Sequence, residues 1–354
     1  MRVVVAMSGG VDSSVAASLL AEAGHDVVGL SMQLYDQRDP SQSFGSCCSL
    51  DDLYDARRVA ATIGIPHYIV NFEERFRETV VDNFVSEYAA GRTPIPCVHC
   101  NADLKFSTLA ERAAAFDAAG VATGHYARVR FDEDTRRYHL LRGVDPGKDQ
   151  SYFLFSLTQD QLAHALFPVG DLTKAEVRAH AVRLGLSVAD KPDSHEICFV
   201  PDGDAAGFVE RRLDEGAREG AIVDTGGRTL GRHAGVHRFT IGQRKGVGVS
   251  TGTPMYVIRL EPETSRVVVG PREELGRLEF TAKQVNWIAG AAPDGPARLT
   301  VRIRHRHQDA PAVVTPTGSA TVHVRFDDPQ MAVAPGQATV FYEGQDVVGG
   351  GWIS

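Results

Sequence analysis

The sequence predicts an α/β protein: a doubly wound parallel sheet followed by two smaller β-rich units. Three observations predict it. The apolar run Val3-Val4-Val5-Ala6-Met7 leads into Ser8-Gly9-Gly10-Val11-Asp12-Ser13-Ser14 and then a helical pattern, a strand–turn–helix opening. Strand and helix patterns then alternate to about residue 200, as in a sheet covered by helices on both faces. Beyond Phe208 the pattern changes, and Gly and Pro punctuate short β-type runs.

Taken in order, strands are expected over residues 3–7, 26–32, 67–70 and 121–123. Helices are expected over 13–23, 50–63, 76–88, 102–118, 159–166 and 174–184, the last opened by a Thr173/Glu176 capping box. Residues 127–131 and 138–141 read as a hairpin turning at Asp132-Glu133-Asp134. The polar stretch 35–49 reads as a loop over an active site or a surface excursion. Runs at 255–260, 266–269, 299–304, 321–326 and 338–342 read as strands. These patterns divide the chain at 1–205, 206–278 and 279–354.

A length of 354 residues favours two or three domains, and 43% hydrophobic with 23% charged residues is ordinary for a chain with a large core. The net charge of −8 means that a nucleic-acid partner needs a local basic patch. No apolar run reaches membrane-spanning length, and the first residues read as a strand rather than a signal peptide. Five cysteines are too few and too irregular for a secreted disulfide scaffold. A cytoplasmic location with reactive or metal-binding thiols is expected.

The glycine turn lets the main chain approach an anion, and the helix behind it aims N–H groups and its positive dipole end at the same point. Ser8, Ser13 and Ser14 add hydroxyls. No Lys follows the glycines, so this is not the kinase-type loop. It resembles the PP-loop of ATP pyrophosphatases, which implies ATP, cleavage between its α and β phosphates, and Mg²⁺ beside the Asp.

Cys97-Val98-His99-Cys100 follows the stiff lead Thr93-Pro94-Ile95-Pro96, with a helix expected from Asn101. Cys100 would then lie at a helix N-terminus, where the dipole favours thiolate. Cys198 lies at the end of the first domain, and Cys47 and Cys48 read as bystanders. A structural zinc lacks its two close ligand pairs. An iron–sulfur cluster on Cys97, Cys100 and Cys198 is a minority reading. The preferred reading is a redox pair, Cys100 with Cys198, carrying sulfur as persulfide.

The PP-loop, Pro96 to Asn101, and Ile197-Cys198-Phe199 together resemble the bacterial tRNA-specific 2-thiouridylases. So do Ala122 to Arg128, Gly147 to Leu154, Phe239 to Gly246, and the tail with Pro335-Gly336-Gln337 and Gly349-Gly350-Gly351. The likeness runs almost end to end. It implies a PP-loop domain, a central β-rich domain and a C-terminal barrel-like domain, the last two binding tRNA. It implies ATP-dependent sulfur insertion at carbon 2 of the wobble uridine. Ala6, Met7, Ser8, Gly9, Gly10, Val11, Asp12 and Ser13 would bind ATP, with Met32 and Gly124 flanking the adenosine. Cys100 takes the nucleophile role and Cys198 the persulfide role. Ile95, Pro96 and Cys97 would face the base, where some relatives have Asn-Pro-Asp. His125, Lys148, Asp149, Gln150, Arg304, His305 and Gln337 would meet tRNA. A sulfur-carrier or cysteine-desulfurase-linked donor is implied; DNA and membranes are not.

Alternation along a β-run would set Arg302, Arg304 and Arg306 on one face as a phosphate stripe, or as a solvated edge that blocks aggregation. Ser194-His195-Glu196 precedes Cys198, and His195 could steady its thiolate. Two readings compete: a small-molecule PP-loop ligase, which needs neither cysteine, and an RNA-binding protein with a vestigial loop.

Overall fold

The computed structural model describes residues 1–35, 49–193, 197–200, 202–213 and 216–354. The expected loop over 35–49 with Cys47 and Cys48, and the Ser194-His195-Glu196 triplet, lie largely outside the described residues.

The chain opens with β1 (Arg2–Ala6), α1 (Val11–Glu22), β2 (Asp26–Gln33), α2 (Leu50–Ile63) and β3 (His67–Asn71). There follow α3 (Glu73–Phe76) and α4 (Asp82–Ala89), then α5 (Pro96–His99) and α6 (Leu109–Ala114). A π-helical stretch joins each of these helix pairs, Arg77–Val81 in the first and Cys100–Thr108 in the second. β4 (Val121–Ala122), the hairpin β5 (Ala127–Asp132) and β6 (Arg137–Arg142), α7 (Gln159–Ala163), β7 (Ala165–Leu166) and α8 (Lys174–Arg183) complete this part.

The first sheet runs β3-β2-β1-β4-β7, parallel throughout. Side-chain alternation along β1 splits its apolar residues between two cores. Val4 and Ala6 join Leu30, Met32, Phe76, Phe84 and Leu109 on one face. Val3, Val5 and Met7 join Val15, Ala16, Ala56, Val59 and Val177 on the other. This two-faced burial is why the strands read as continuous hydrophobic runs, and it is the doubly wound architecture the sequence predicts.

A short helix, α9 (Ala205–Glu210), leads into β8 (Gly220–Asp224), β9 (Thr229–His233), β10 (Tyr256–Glu261) and β11 (Arg266–Gly270). They form a separate sheet, β10-β11-β8-β9, over its own core of Ile222, Val257, Val267 and Val269.

The last strands are β12 (Gly276–Trp287), β13 (Ala297–Arg302), β14 (Ala310–Gly318), β15 (Thr321–Met331), β16 (Ala338–Glu343) and β17 (Asp346–Ile353). They pair in the order β12-β15-β14-β13-β16-β17, and β12 pairs with β17 to close a barrel. β12 crosses the boundary expected near 278. The β5–β6 hairpin has the expected antiparallel register, Phe131 opposite Tyr138. The hairpin does not join the first sheet: β6 pairs with β17, so it extends the barrel wall. A shared core of Val98, Leu140, Tyr152, Phe155, Ala338, Val340 and Val347 joins the two ends of the chain.

Candidate active site

The loop after β1 is built for an anion. Gly10 caps α1 without a side-chain hydrogen bond, so that end of the helix is left to main-chain donors. Ser13 Oγ lies 3.2 Å from Ser8 Oγ and receives Ser8 N–H at 3.2 Å, which curls the loop back over the helix start. Two glycines have steric reasons. Gly9 has φ +72°, and a Cβ there would run into the Asp52 carbonyl on α2. Gly124, just past β4, would place a Cβ 2.5 Å from Ser13 N. Ala6 and Met32 lie at the carboxyl ends of β1 and β2, where a parallel sheet binds its ligand.

A ring of charge surrounds this loop, and the sequence reading missed most of it. Tyr126 O–H donates to Asp12 Oδ1 at 2.8 Å, and Lys174 Nζ donates to the same oxygen at 2.7 Å. Burial and the Asp12 carboxylate raise the Tyr126 phenol, which stays protonated as a donor. Lys174 also pairs with Asp193 at 2.8 Å, and Asp193 takes Lys148 at 2.6 Å and Arg178 at 3.1 Å. Lys191 Nζ donates to the Gly9 carbonyl at 3.0 Å and to Asp52 and Asp55 at 2.6 Å each, lashing the loop to α2. For Lys174, the local signal in the sequence was the capping box in front of it.

The cysteines approach from the other face of the sheet. α5 begins at Pro96, so Cys100 lies one turn inside the helix and Cys97 in its first turn. That corrects the expectation of Cys100 at a helix N-terminus: Pro96 is acceptable at a first helical position and starts the helix earlier. Cys97 is exposed, whereas Cys100 and Cys198 both pack against the core that contains Ala6 and Met32. Phe199 pins the Cys198 segment there, its ring 5.0 Å from Phe84 and 5.6 Å from Phe76. Among the described residues no three His, Cys, Asp or Glu side chains converge as a metal site. Cys97, Cys100 and Cys198 therefore do not form the three-thiolate set of the iron–sulfur reading.

The barrel clamps the cysteine helix. Thr93 N–H donates to the Pro335 carbonyl at 2.9 Å, and Gln337 Nε2 donates to the Thr93 carbonyl at 3.0 Å. His99 stacks on Trp352 with centroids 5.1 Å apart and planes 6° apart. Asn101 Nδ2 donates to the Phe153 carbonyl at 3.2 Å. These contacts hold the residues on either side of Ile95, Pro96 and Cys97.

The residues expected to meet RNA divide into two groups. Arg304 and His305 are exposed on a turn, with the His305 ring 4.5 Å from Phe153. Lys148 is held by Asp193, and Gln150 Oε1 accepts Tyr126 N–H at 3.0 Å. Asp149 and His125 are buried. Asp149 accepts from the N–H groups of Gly143 and Ser151 and faces Arg142 and Arg302, so it props its loop from within. Burial lowers His125 well below its ordinary value, leaving a neutral ring 2.6 Å from Thr123 Oγ1. The arginine stripe needs correction. β13 ends at Arg302, whose half-buried guanidinium pairs with Asp309 and Asp149, and Arg304 and Arg306 sit on the turn beyond it.

No helix among the described residues is long and apolar enough to cross a membrane. Residues 1–202 match the family model of the tRNA methyl transferase HUP domain, 206–271 the tRNA methyl transferase PRC-barrel domain, and 277–353 the aminomethyltransferase β-barrel domain. A Solibacter usitatus protein named tRNA-specific 2-thiouridylase MnmA is 56% identical, over 99% of this chain and 98% of its own length. Namesakes from Geobacter metallireducens and Acidobacterium capsulatum are 52% and 51% identical over 99% of this chain, and over 96% and 98% of their own lengths. With an ATP-type loop, two cysteines on one core and full-length similarity, the chain belongs to the tRNA-specific 2-thiouridylase family.

Proposed function

We infer that this protein installs sulfur at carbon 2 of the wobble uridine of tRNA, with ATP as the activating substrate. The observation that carries the reading is that Cys100 and Cys198 pack on the same core as Ala6 and Met32, at the carboxyl edge of the nucleotide-binding sheet. The uridine carbonyl is a poor electrophile. Attack of its oxygen on the α-phosphorus of ATP releases pyrophosphate and leaves an adenylate, whose AMP is a good leaving group. Mg²⁺ would accompany the phosphates, with Asp12 the loop carboxylate beside them, and would offset negative charge there.

Cys198, loaded as persulfide by a sulfur-donor protein, then supplies sulfur. Attack of the Cys100 thiolate on the inner sulfur forms a Cys100–Cys198 disulfide and frees sulfide, which displaces AMP from carbon 2. A dithiol reductant restores both thiols. The target base must leave the anticodon stack to reach this edge. The units 1–205, 206–278 and 279–354 serve respectively as catalytic, central and C-terminal tRNA-binding parts, with the cytoplasm as the place of work.

The test is nucleotide chemistry. With a persulfide donor and Mg²⁺-ATP, unmodified tRNA is expected to stimulate pyrophosphate release and to gain 2-thiouridine by nucleoside mass spectrometry. Release driven by amino acids or free nucleotides, with tRNA inert, would overturn the reading in favour of a small-molecule ligase.

A further inference from the structure

Two segments expected to meet RNA leave the fold side by side. The loop 143–151 follows β6 and carries Lys148 and Gln150, and the turn 303–309 joins β13 to β14 and carries Arg304 and His305. Each is closed at its base by a pair of opposite charges. Arg142 ends β6 and lies 3.6 Å from Asp149; Arg302 ends β13 and pairs with Asp309, which stands just before β14. The partners then cross. Arg142 also pairs with Asp309, and Arg302 Nη1 lies 3.4 Å from Asp149 Oδ2. Two guanidinium groups and two carboxylates thus alternate around a square. Two of its sides close the segments, and the other two join them.

The square is set into the protein. The side chains of Arg142 and Asp149 are 10% and 3% exposed. The buried Tyr342 ring forms its floor, with Arg142 Cζ 3.5 Å and Arg302 Cζ 5.4 Å from the centroid. A planar guanidinium spans two carboxylates in a fixed geometry, which a lysine point charge does not. Main chain is tied in as well. Asp149 Oδ1 accepts from Gly143 N–H at 3.2 Å and Ser151 N–H at 3.1 Å, and Gln150 N–H donates to the Tyr126 carbonyl at 2.9 Å. From the turn, His305 Nε2 lies 3.3 Å from the Asp149 carbonyl. Desolvation offsets much of the attraction inside such a set, so its net stabilisation is small while its geometry is exacting. What it supplies is register between the two segments.

We propose that Arg142, Asp149, Arg302 and Asp309 are positioning residues that lock loop 143–151 to turn 303–309, so that tRNA meets both as one preformed surface. Asp149 serves RNA through this square rather than by touching it. The proposal rests on the reading of both segments as tRNA contacts. Groups held in register beforehand need no ordering when RNA arrives. Released from one another, the segments keep their cations but no longer present them together.

The test is a double-mutant cycle on the full-length protein, with binding of unmodified tRNA read by fluorescence anisotropy and binding of α,β-methylene-ATP by calorimetry. Asp309→Asn is expected to weaken tRNA binding by about tenfold, within the range of coupling inside one ion network, while nucleotide affinity changes less than about twofold. The penalty of Arg304→Ala is expected to shrink by about threefold or more in the Asp309→Asn background, because the turn is out of register there. Asp309→Glu, which keeps the charge, is expected to recover most of the lost affinity. Should Asp309→Asn fail to fold, Arg302→Lys, which keeps the charge without the fork, is expected to show the same pattern. An Arg304→Ala penalty of equal size in both backgrounds would overturn the proposal. So would parallel loss of tRNA and nucleotide in Asp309→Asn, the mark of a general support of the fold. A wild type that binds nucleotide but not tRNA would overturn the tRNA reading itself.

Discussion

Gly124 and Ser13 meet so closely that the first turn of α1 has no room for a methyl group. Main chain lies on both sides, so no side chain can swing away. Gly124→Ala is expected to cost about 1–3 kcal/mol of stability, as overpacked sites do, and to weaken nucleotide binding by displacing the loop. A denaturant titration and calorimetry check the two effects; an unchanged midpoint would mean that the helix start yields freely. Cys198→Ser gives the complementary result: no 2-thiouridine by mass spectrometry, with nucleotide affinity at the wild-type value. Retained thiolation would remove the persulfide role. At this scale the sequence was legible where one residue type is demanded by local geometry, as at Gly9, or by chemistry, as at the cysteines. Lys174, Lys191 and Asp193 were not legible. A charged residue has no local signature of its partner, and these partners are set by the packing of α8 on α1 and of the 189–193 segment on the loop.

The helix from Pro96 to Ala114 changes from α to π at Cys100 and back at Leu109. A π stretch rotates later side chains relative to an ideal helix and is common at functional sites. Nothing in the residue pattern announces it; tertiary contacts from Gln161 and Phe153, which bond the Ala102 carbonyl and the Asn101 side-chain amide, accompany the change. The capped helices were easier to read: α8 begins where its capping box predicts, and α2 begins at the expected residue 50, behind a Ser49/Asp52 capping box that the sequence reading did not use. β17 went unread because Gly349, Gly350 and Gly351 interrupt it, and glycine weakens any strand pattern. Its Trp352 is the platform for His99 and lies 6.0 Å from Phe155. Trp352→Ala is therefore expected to slow sulfur transfer while leaving nucleotide affinity unchanged, measured as single-turnover 2-thiouridine formation beside calorimetry. An unaltered transfer rate would mean that the stack only decorates the clamp. On the turn after β13, Arg304→Ala with Arg306→Ala is expected to lower the slope of log affinity for tRNA against log salt by about 0.7–0.9 per lost phosphate contact. An unchanged slope would leave this turn outside the RNA footprint.

Across the whole molecule, burial lowers the affinity for protons of His67, His125, His233, His237 and His307. For each, the unfolded chain binds a proton near pH 6.5 that the folded chain refuses. Stability is therefore full above that value and falls as the pH drops through it. A second decline is expected at lower pH, below the ordinary carboxylate range, where Asp193 loses its charge. Urea midpoints between pH 7.5 and 5 are expected to decrease steadily, and His125→Asn to flatten part of that slope; a level profile in wild type would refute the assignment. The doubly wound sheet was legible because its strands, buried on both faces, read as continuous hydrophobic runs between helical patterns. The junction between the first and last parts was not, because β6 and β17 are far apart along the chain and share only edge pairing. That distance has a temporal meaning. Thr93 is tied to Gln337, 244 residues later, so a growing chain finishes its nucleotide loop long before the clamp on its cysteine helix can exist.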